Sequence, residues 1–107
     1  MQRVGQVIGI KPEKIQEYEE LHRAVWPDVL ATIHACNIQN YSIYRHEDRL
    51  FSYFEYTGDD YEADMATMAV DPKTQEWWSI TAPMQDALPG RGPNDWWTPI
   101  PEVFHAD

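Results

Sequence analysis

The feature that most constrains this chain is a pair of neighbouring strands that are apolar on both faces. Asn40 to Arg45 and Arg49 to Tyr56 are rich in β-branched and aromatic residues, with His46-Glu47-Asp48 as a short polar connection, which is the pattern of an antiparallel hairpin. Tyr41, Ile43, Phe51 and Tyr53 occupy one parity, and Tyr44, Leu50, Phe54 and Tyr56 the other. A sheet with one wet face alternates apolar with polar residues, so both faces of this hairpin require cover. With 107 residues the chain makes one domain of ordinary size, residues 1–107. Its own helices can cover one face, and a second copy of the same sheet is the economical cover for the other.

The remaining segments supply those helices. Val4, Gln6, Ile8 and Ile10 alternate with Arg3, Gly5, Val7 and Gly9, a period-two strand. Pro12 ends it and suits the first turn of a helix, which the composition of the following residues extends from Glu13 to about Ala35. At 100° per residue, Ile15, Tyr18, His22, Trp26, Val29 and Ile33 fall within roughly an 80° sector, the expected buried face. Pro27 removes a backbone donor inside this helix and predicts a kink near Arg23 to Trp26. After the hairpin, Asp59 with Glu62 forms a capping box for a helix through Met65, Met68 and Ala69. Asp71 and Pro72 then cap and open another helix through Trp77 and Trp78 towards Ile80, which Pro83 stops. Leu88 to Pro101 holds Pro89, Gly90, Gly92, Pro93, Pro99 and Pro101 and reads as loop, and Val103-Phe104-His105 as a last short strand. The order is strand, long helix, two strands, broken helix, loop, strand. That is the ferredoxin-like split βαβ plan, an α+β fold with helices on one sheet face.

Charge and motif content narrow the function. Eight Lys plus Arg against eighteen Asp plus Glu give a net charge of −10, which repels phosphate backbones and anionic lipid surfaces and argues against nucleic-acid or membrane partners. The N-terminal residues carry no long apolar run, so neither a signal peptide nor a membrane span is expected. Cys36 is the single cysteine, which fits a reducing cytoplasm and rules out an internal disulfide and a thiolate cluster. No HxH or HExxH pattern, phosphate loop or serine elbow occurs, so neither metal nor cofactor is expected. His22 is the informative position, a polar ring inside the apolar sector with Tyr18 a turn before and Trp26 a turn after. It reads either as a core histidine satisfied by one hydrogen bond or as a general acid or base titrating near neutrality. The pairs Trp77-Trp78 and Trp96-Trp97 cannot both face one core, because adjacent residues on a helix point about 100° apart. One of each pair meets a pocket, a partner chain or solvent. Flat aromatic faces that stack on sugar C–H groups, together with one titratable His, make a carbohydrate pocket conceivable.

The ordered set Tyr18-x-x-x-His22-x-x-x-Trp26-Pro27-Asp28, then Asn40-Tyr41-Ser42-Ile43-Tyr44, Trp77-Trp78 and Glu102-Val103-Phe104 resembles the L-rhamnose mutarotase family over nearly the whole chain. The resemblance implies a homodimeric ferredoxin-like α+β barrel with sheets packed face to face. It also implies an isomerase of carbohydrate metabolism that exchanges the α and β anomers of a 6-deoxy-L-hexose. Carried over by position, the proton donor falls on His22 and the sugar contacts on Tyr18, Tyr41, Trp77 and Trp78. The base is unassigned, with Asp71 or a water as candidates. The segment Ala82 to Pro101, with its Trp96-Trp97, departs from the shorter family pattern and brings in L-fucose as a competing substrate. Two further readings are a cofactorless monooxygenase of the same barrel architecture and a non-catalytic sugar-binding module.

Overall fold

A computed structural model describes residues 1–107. Its five strands are β1 (Gln2–Ile10), β2 (Ile38–His46), β3 (Arg49–Tyr56), β4 (Gln85–Asp86) and β5 (Thr98–Ile100). Its helices are α1 (Ile15–His22), α2 (Pro27–Ala35), α3 (Tyr61–Ala69) and α4 (Pro72–Thr81), with 3-10 turns at Pro12–Lys14 and Ala82–Met84. The strands form one antiparallel sheet in the order β2-β3-β1-β4, and β5 lies beside β4 on the same edge of β1. The helical crossover from β1 to β2 leaves a gap that β3 fills, which is the split βαβ plan expected. No helix is long and apolar enough to cross a membrane.

Three local expectations need correction. The long helix is two helices: Pro27 does not kink it but starts α2 as its first residue, with Trp26 extended at φ −59° and ψ 133°. Proline biases the residue before it away from the helical region, so the chain turns a corner between His22 and Pro27. The cap of α3 is Asp60, whose side chain accepts from the Ala63 amide, one residue beyond Asp59. Val103-Phe104-His105 is not a strand. The last strand is β5, where Pro99 sits at a sheet edge that tolerates a missing donor. Gly5 lets β5 approach closely, since a Cβ there would stand 3.3 Å from Ile100. The Asp71 cap and Pro72 start of α4 are as expected.

The hairpin register also differs from simple parity. Glu47-Asp48 is a two-residue turn with Glu47 at φ 52°, and Ile43 pairs with Ser52. Odd positions of β2 therefore share a face with even positions of β3. Tyr41 and Ile43 face the helices together with Leu50, Phe54 and Tyr56, while Tyr44, Phe51 and Tyr53 lie on the outer face. A register shift between Gln39 and Ser42, with Asn40 at φ 50°, inserts a bulge. The bulge puts Ile38, Tyr41 and Ile43 on one face despite their mixed parity. Glu55 pins it, accepting from Asn40 at 2.7 Å, Gln39 at 3.3 Å and the Tyr53 hydroxyl at 2.8 Å.

Two clusters form the core between helices and sheet. Ile8, Ile10, Tyr18, Leu50 and Met84 pack at one end, and Cys36, Ile38, Phe54, Tyr56 and Met68 at the other. The bulge yields a stability test. Asn accepts positive φ, whereas a β-branched residue does not, so Asn40→Val should lower the free energy of unfolding in urea by about 1–3 kcal/mol. Asn40→Gly should cost less than half as much. Equal losses would mean that the backbone strain at Asn40 is not what the side chain relieves.

Candidate active site

The helical layer does not close over the sheet. Between the two clusters lies a cleft floored by Ile38, Tyr41 and Ile43 and walled by His22, Met68, Trp77 and Trp78. One arm of about 500 Å³ runs past Gln6, Tyr18, Tyr61, Met65, Gln85 and Trp96. The other, of about 550 Å³, runs along α2 past Val29, Ile33 and His34. Both volumes suit a small molecule, whose sites span roughly 300–1,000 Å³. The structure thus brings all five residues singled out in the sequence, His22, Tyr18, Tyr41, Trp77 and Trp78, to one cleft.

His22 ends α1 just before the corner that Pro27 imposes, so its ring faces the cleft instead of a continuing helix. It stacks on Tyr18 with ring centroids 4.2 Å apart and planes at 28°, and meets the edge of Trp77 at 5.3 Å. Its Nδ1 lies 2.8 Å from the Tyr18 carbonyl oxygen. A carbonyl only accepts, so Nδ1 carries the hydrogen and the neutral ring keeps its lone pair on Nε2. Burial pushes the imidazole below its ordinary pKa and outweighs the hydrogen bond to the carbonyl, which favours the charged form.

The phenols around it are held neutral. Desolvation, and after it the neighbouring Tyr18 and Tyr61, push the Tyr41 hydroxyl well above the usual phenol range. Burial raises Tyr18 as well, against the opposing hydrogen bond from Gln85. Trp77 is buried against the edge of Trp26 at 5.1 Å, whereas Trp78 stays 42% exposed at the cleft wall. That division follows from their 100° offset on α4. In the second pair, both rings line the cleft, and Trp97 also packs against the first core cluster.

Asp71 is not part of this site. Its carboxylate accepts from both the amide and the hydroxyl of Thr74 at 2.9 Å, capping α4, and these bonds hold it below the usual carboxylate range. No Asp or Glu lines either arm of the cleft. Nowhere in the chain do three His, Cys, Asp or Glu side chains gather as a metal set, and Cys36 is a buried core thiol. Among the cleft residues missed from the sequence are the amides of Gln6 and Gln85. Gln6 carried a signal, as the one polar residue among Val4, Ile8 and Ile10 on its parity of β1. Gln85 carried none, because a two-residue strand after a 3-10 turn has no pattern to read.

Fold and cleft define a class: a ferredoxin-like α+β protein whose aromatic, carboxylate-free pocket is built around one oriented imidazole. The family model described as L-rhamnose mutarotase matches residues 3–106. The chain belongs to the L-rhamnose mutarotase family. It is 32% identical to an L-rhamnose mutarotase of Phocaeicola vulgatus and 30% to one of Oceanobacillus iheyensis, each alignment covering 100% of both chains. It is 34% identical to an L-fucose mutarotase of Xanthomonas campestris pv. campestris, over 97% of this chain and 87% of that one. Two solved structures share the fold over 100% of both chains. They are an L-rhamnose mutarotase of Formosa agariphila (TM-score 0.78, 22% identity) and the tetracenomycin F2 cyclase of Streptomyces glaucescens (TM-score 0.71, 13% identity).

The depressed pKa of His22 has a stability consequence. The unfolded chain takes up a proton near pH ~6.5 and the folded one only at lower pH, so stability is full above that value and is lost as pH falls through the folded pKa. Between pH ~7.5 and ~5 the melting temperature of the wild type should therefore fall more steeply than that of His22→Gln. Parallel curves would show that His22 titrates as it does in the unfolded chain.

Proposed function

We propose that this chain is an isomerase that interconverts the α and β anomers of a 6-deoxy-L-hexose pyranose, L-rhamnose foremost, by acid–base opening and reclosure of the ring. One observation carries this reading: the His22 imidazole, with its tautomer fixed, stands on the wall of a carboxylate-free cleft among phenols and amides. Membership of the family supports it. In ring opening the anomeric hydroxyl loses a proton, the bond from C1 to the ring oxygen breaks, and the ring oxygen gains a proton. Reclosure on the other carbonyl face reverses these steps, so the reaction is balanced without oxidant or co-substrate.

His22 is the proton-transfer residue. Its neutral ring takes the anomeric proton on Nε2, and the imidazolium so formed is the donor to the ring oxygen, which is bonded to the same carbon. A depressed pKa favours prompt return of that proton. Tyr18 and Tyr41 hold sugar hydroxyls, Trp77 and Trp78 pack on the C–H face, and Met65 and Met68 supply an apolar wall for the C6 methyl. A wholly apolar substrate, as a monooxygenase of this architecture would take, leaves the Gln6 amide and the Tyr18 and Tyr41 hydroxyls without use. L-fucose is the second reading, favoured by the Xanthomonas relative and by the Trp96 segment at the cleft.

Saturation-difference NMR on the anomeric protons, with L-rhamnose and L-fucose in parallel, tests the proposal. One sugar should exchange, and His22→Gln should slow its exchange by about 10²–10⁴-fold. Full exchange in that variant removes His22 from the chemistry, and no exchange of either sugar by the wild type removes the activity.

We further propose that the working unit is a homodimer in the cytoplasm, packed through the outer sheet face. Tyr44 is 65% and Phe51 38% exposed there. Beyond the Arg3–Glu102 ion pair at 2.7 Å, Val103 and Phe104 stand 93% and 81% exposed. Isolated apolar residues are ordinary on a surface, whereas a contiguous aromatic face calls for a partner. The lone thiol fits a reducing compartment. Tyr44→Asp and Phe51→Asp should give monomers in sedimentation velocity; a wild type that sediments as a monomer overturns the packing.

A further inference from the structure

The first arm of the cleft ends on a hydrogen-bonded chain that joins three residues distant in sequence. The indole Nε1 of Trp96 donates to Gln85 Oε1 at 2.7 Å, and Gln85 Nε2 donates to the Tyr18 hydroxyl at 3.2 Å. Gln85 is 7% and Tyr18 3% exposed, so neither can trade these bonds for bulk water. The direction of the chain follows from its first member. An indole nitrogen only donates, so the glutamine oxygen must face Trp96 and its NH₂ must face Tyr18. The Tyr18 oxygen is thereby an acceptor from Gln85. Its own hydrogen is left to point elsewhere, and no group of the protein takes it. Reversing the amide would set two donors against each other at Trp96 and leave a buried amide group unpaired, at a cost of about 1–3 kcal/mol.

Building on the sugar-isomerase reading, we propose that Gln85 and Trp96 are positioning residues that make Tyr18 a hydrogen-bond donor to an oxygen of the sugar. The consequence concerns the ring oxygen and the anomeric oxygen, which carry the developing charge during opening and reclosure. A donor held in place beforehand stabilises that charge without reorganising, and Tyr18 is already stacked on His22 at 4.2 Å. Trp96 comes from the Pro- and Gly-rich loop and is braced by the Arg91 guanidinium over its ring at 5.9 Å. A segment outside the sheet and helices thus sets the polarity of a group inside the cleft.

Gln85→Glu separates polarity from packing. A carboxylate of the same shape still accepts from Trp96 but also accepts from Tyr18, which turns the phenol hydrogen away from the sugar. In a buffer near pH ~8, where a carboxylic acid is ionised, kcat for anomer exchange should fall about tenfold or more with a smaller change in KM. Gln85→Met, which removes both bonds, should fall similarly. On a Tyr18→Phe background neither substitution should cost anything further, because residues that act through one group are not additive. Unchanged kcat in Gln85→Glu, or the same loss repeated on the Tyr18→Phe background, overturns the proposal. A readout independent of activity accompanies these. The Trp96 indole N–H resonance, assigned by its loss in Trp96→Phe, should move upfield in Gln85→Met and downfield in Gln85→Glu, whose charged acceptor strengthens the bond. An indole resonance unmoved in Gln85→Met overturns the chain even in a protein that exchanges neither sugar, so the two failures are read apart.

Discussion

Eight consecutive residue pairs, from Gln2 with Tyr56 to Gly9 with Arg49, join β1 to β3 at the middle of the sheet. This pairing sets Val4, Gln6 and Ile8 on the same face as Phe54, Ser52 and Leu50, and everything above the sheet is placed by it. Ile8 and Leu50 root one core cluster and Phe54 the other. The cleft is the interval between them, where Gln6 takes the place of a large apolar side chain. A one-residue slip would move the whole apolar set to the outer face, so the cleft and the core are specified by the same register.

Above the sheet, the corner between α1 and α2 does for the helices what the β2 bulge does for the strands. A continuous helix would carry His22 along an unbroken apolar stripe, packed as any core residue. Pro27 starts a new helix instead, and His22 becomes the last residue of α1, tied through Nδ1 to the carbonyl of Tyr18 and flanked by Trp77. The bulge at Asn40 brings Tyr41 onto the same side. Two departures from regular secondary structure thus supply one wall and part of the floor, while α4 presents the tryptophans from a helix whose start is fixed by Asp71 and Pro72. The chemistry proposed for the cleft asks little more than this: one ring nitrogen able to take and return a proton, and neutral donors held around it.

Much of this was legible in the residues. The alternation in β1, the two-sided hairpin and the Asp-Pro start of α4 each carry local chemistry that neighbours in space do not override. His22, Tyr18 and the Trp pair stood out because polar or bulky rings on an apolar stripe are anomalies that can be read by counting. The errors fell where two local rules compete. Pro27 could kink a helix or begin one, Asp59 and Asp60 could each cap α3, and Val103-Phe104 looked like a strand although it has no sheet edge to pair with.

What the sequence by itself determined is the broad order of strand, helical crossover, hairpin and second helical region, with the alternation of β1 and the start of α4, because these depend on periods of two and 3.6 residues and on Pro and Asp at element ends. Tertiary structure alone decided the partner of each face. Register across a two-residue turn put Tyr41 with Phe54 and not with Phe51, and a bulge with no signature reset the alternation of β2. Gln85, Trp96 and Tyr18 lie far apart in the chain and meet only because β4 and the following loop fold back over the edge of β1 beside α1. Hydrogen-bond direction is a property of atoms a few ångströms apart, and spacing along a chain holds no record of it.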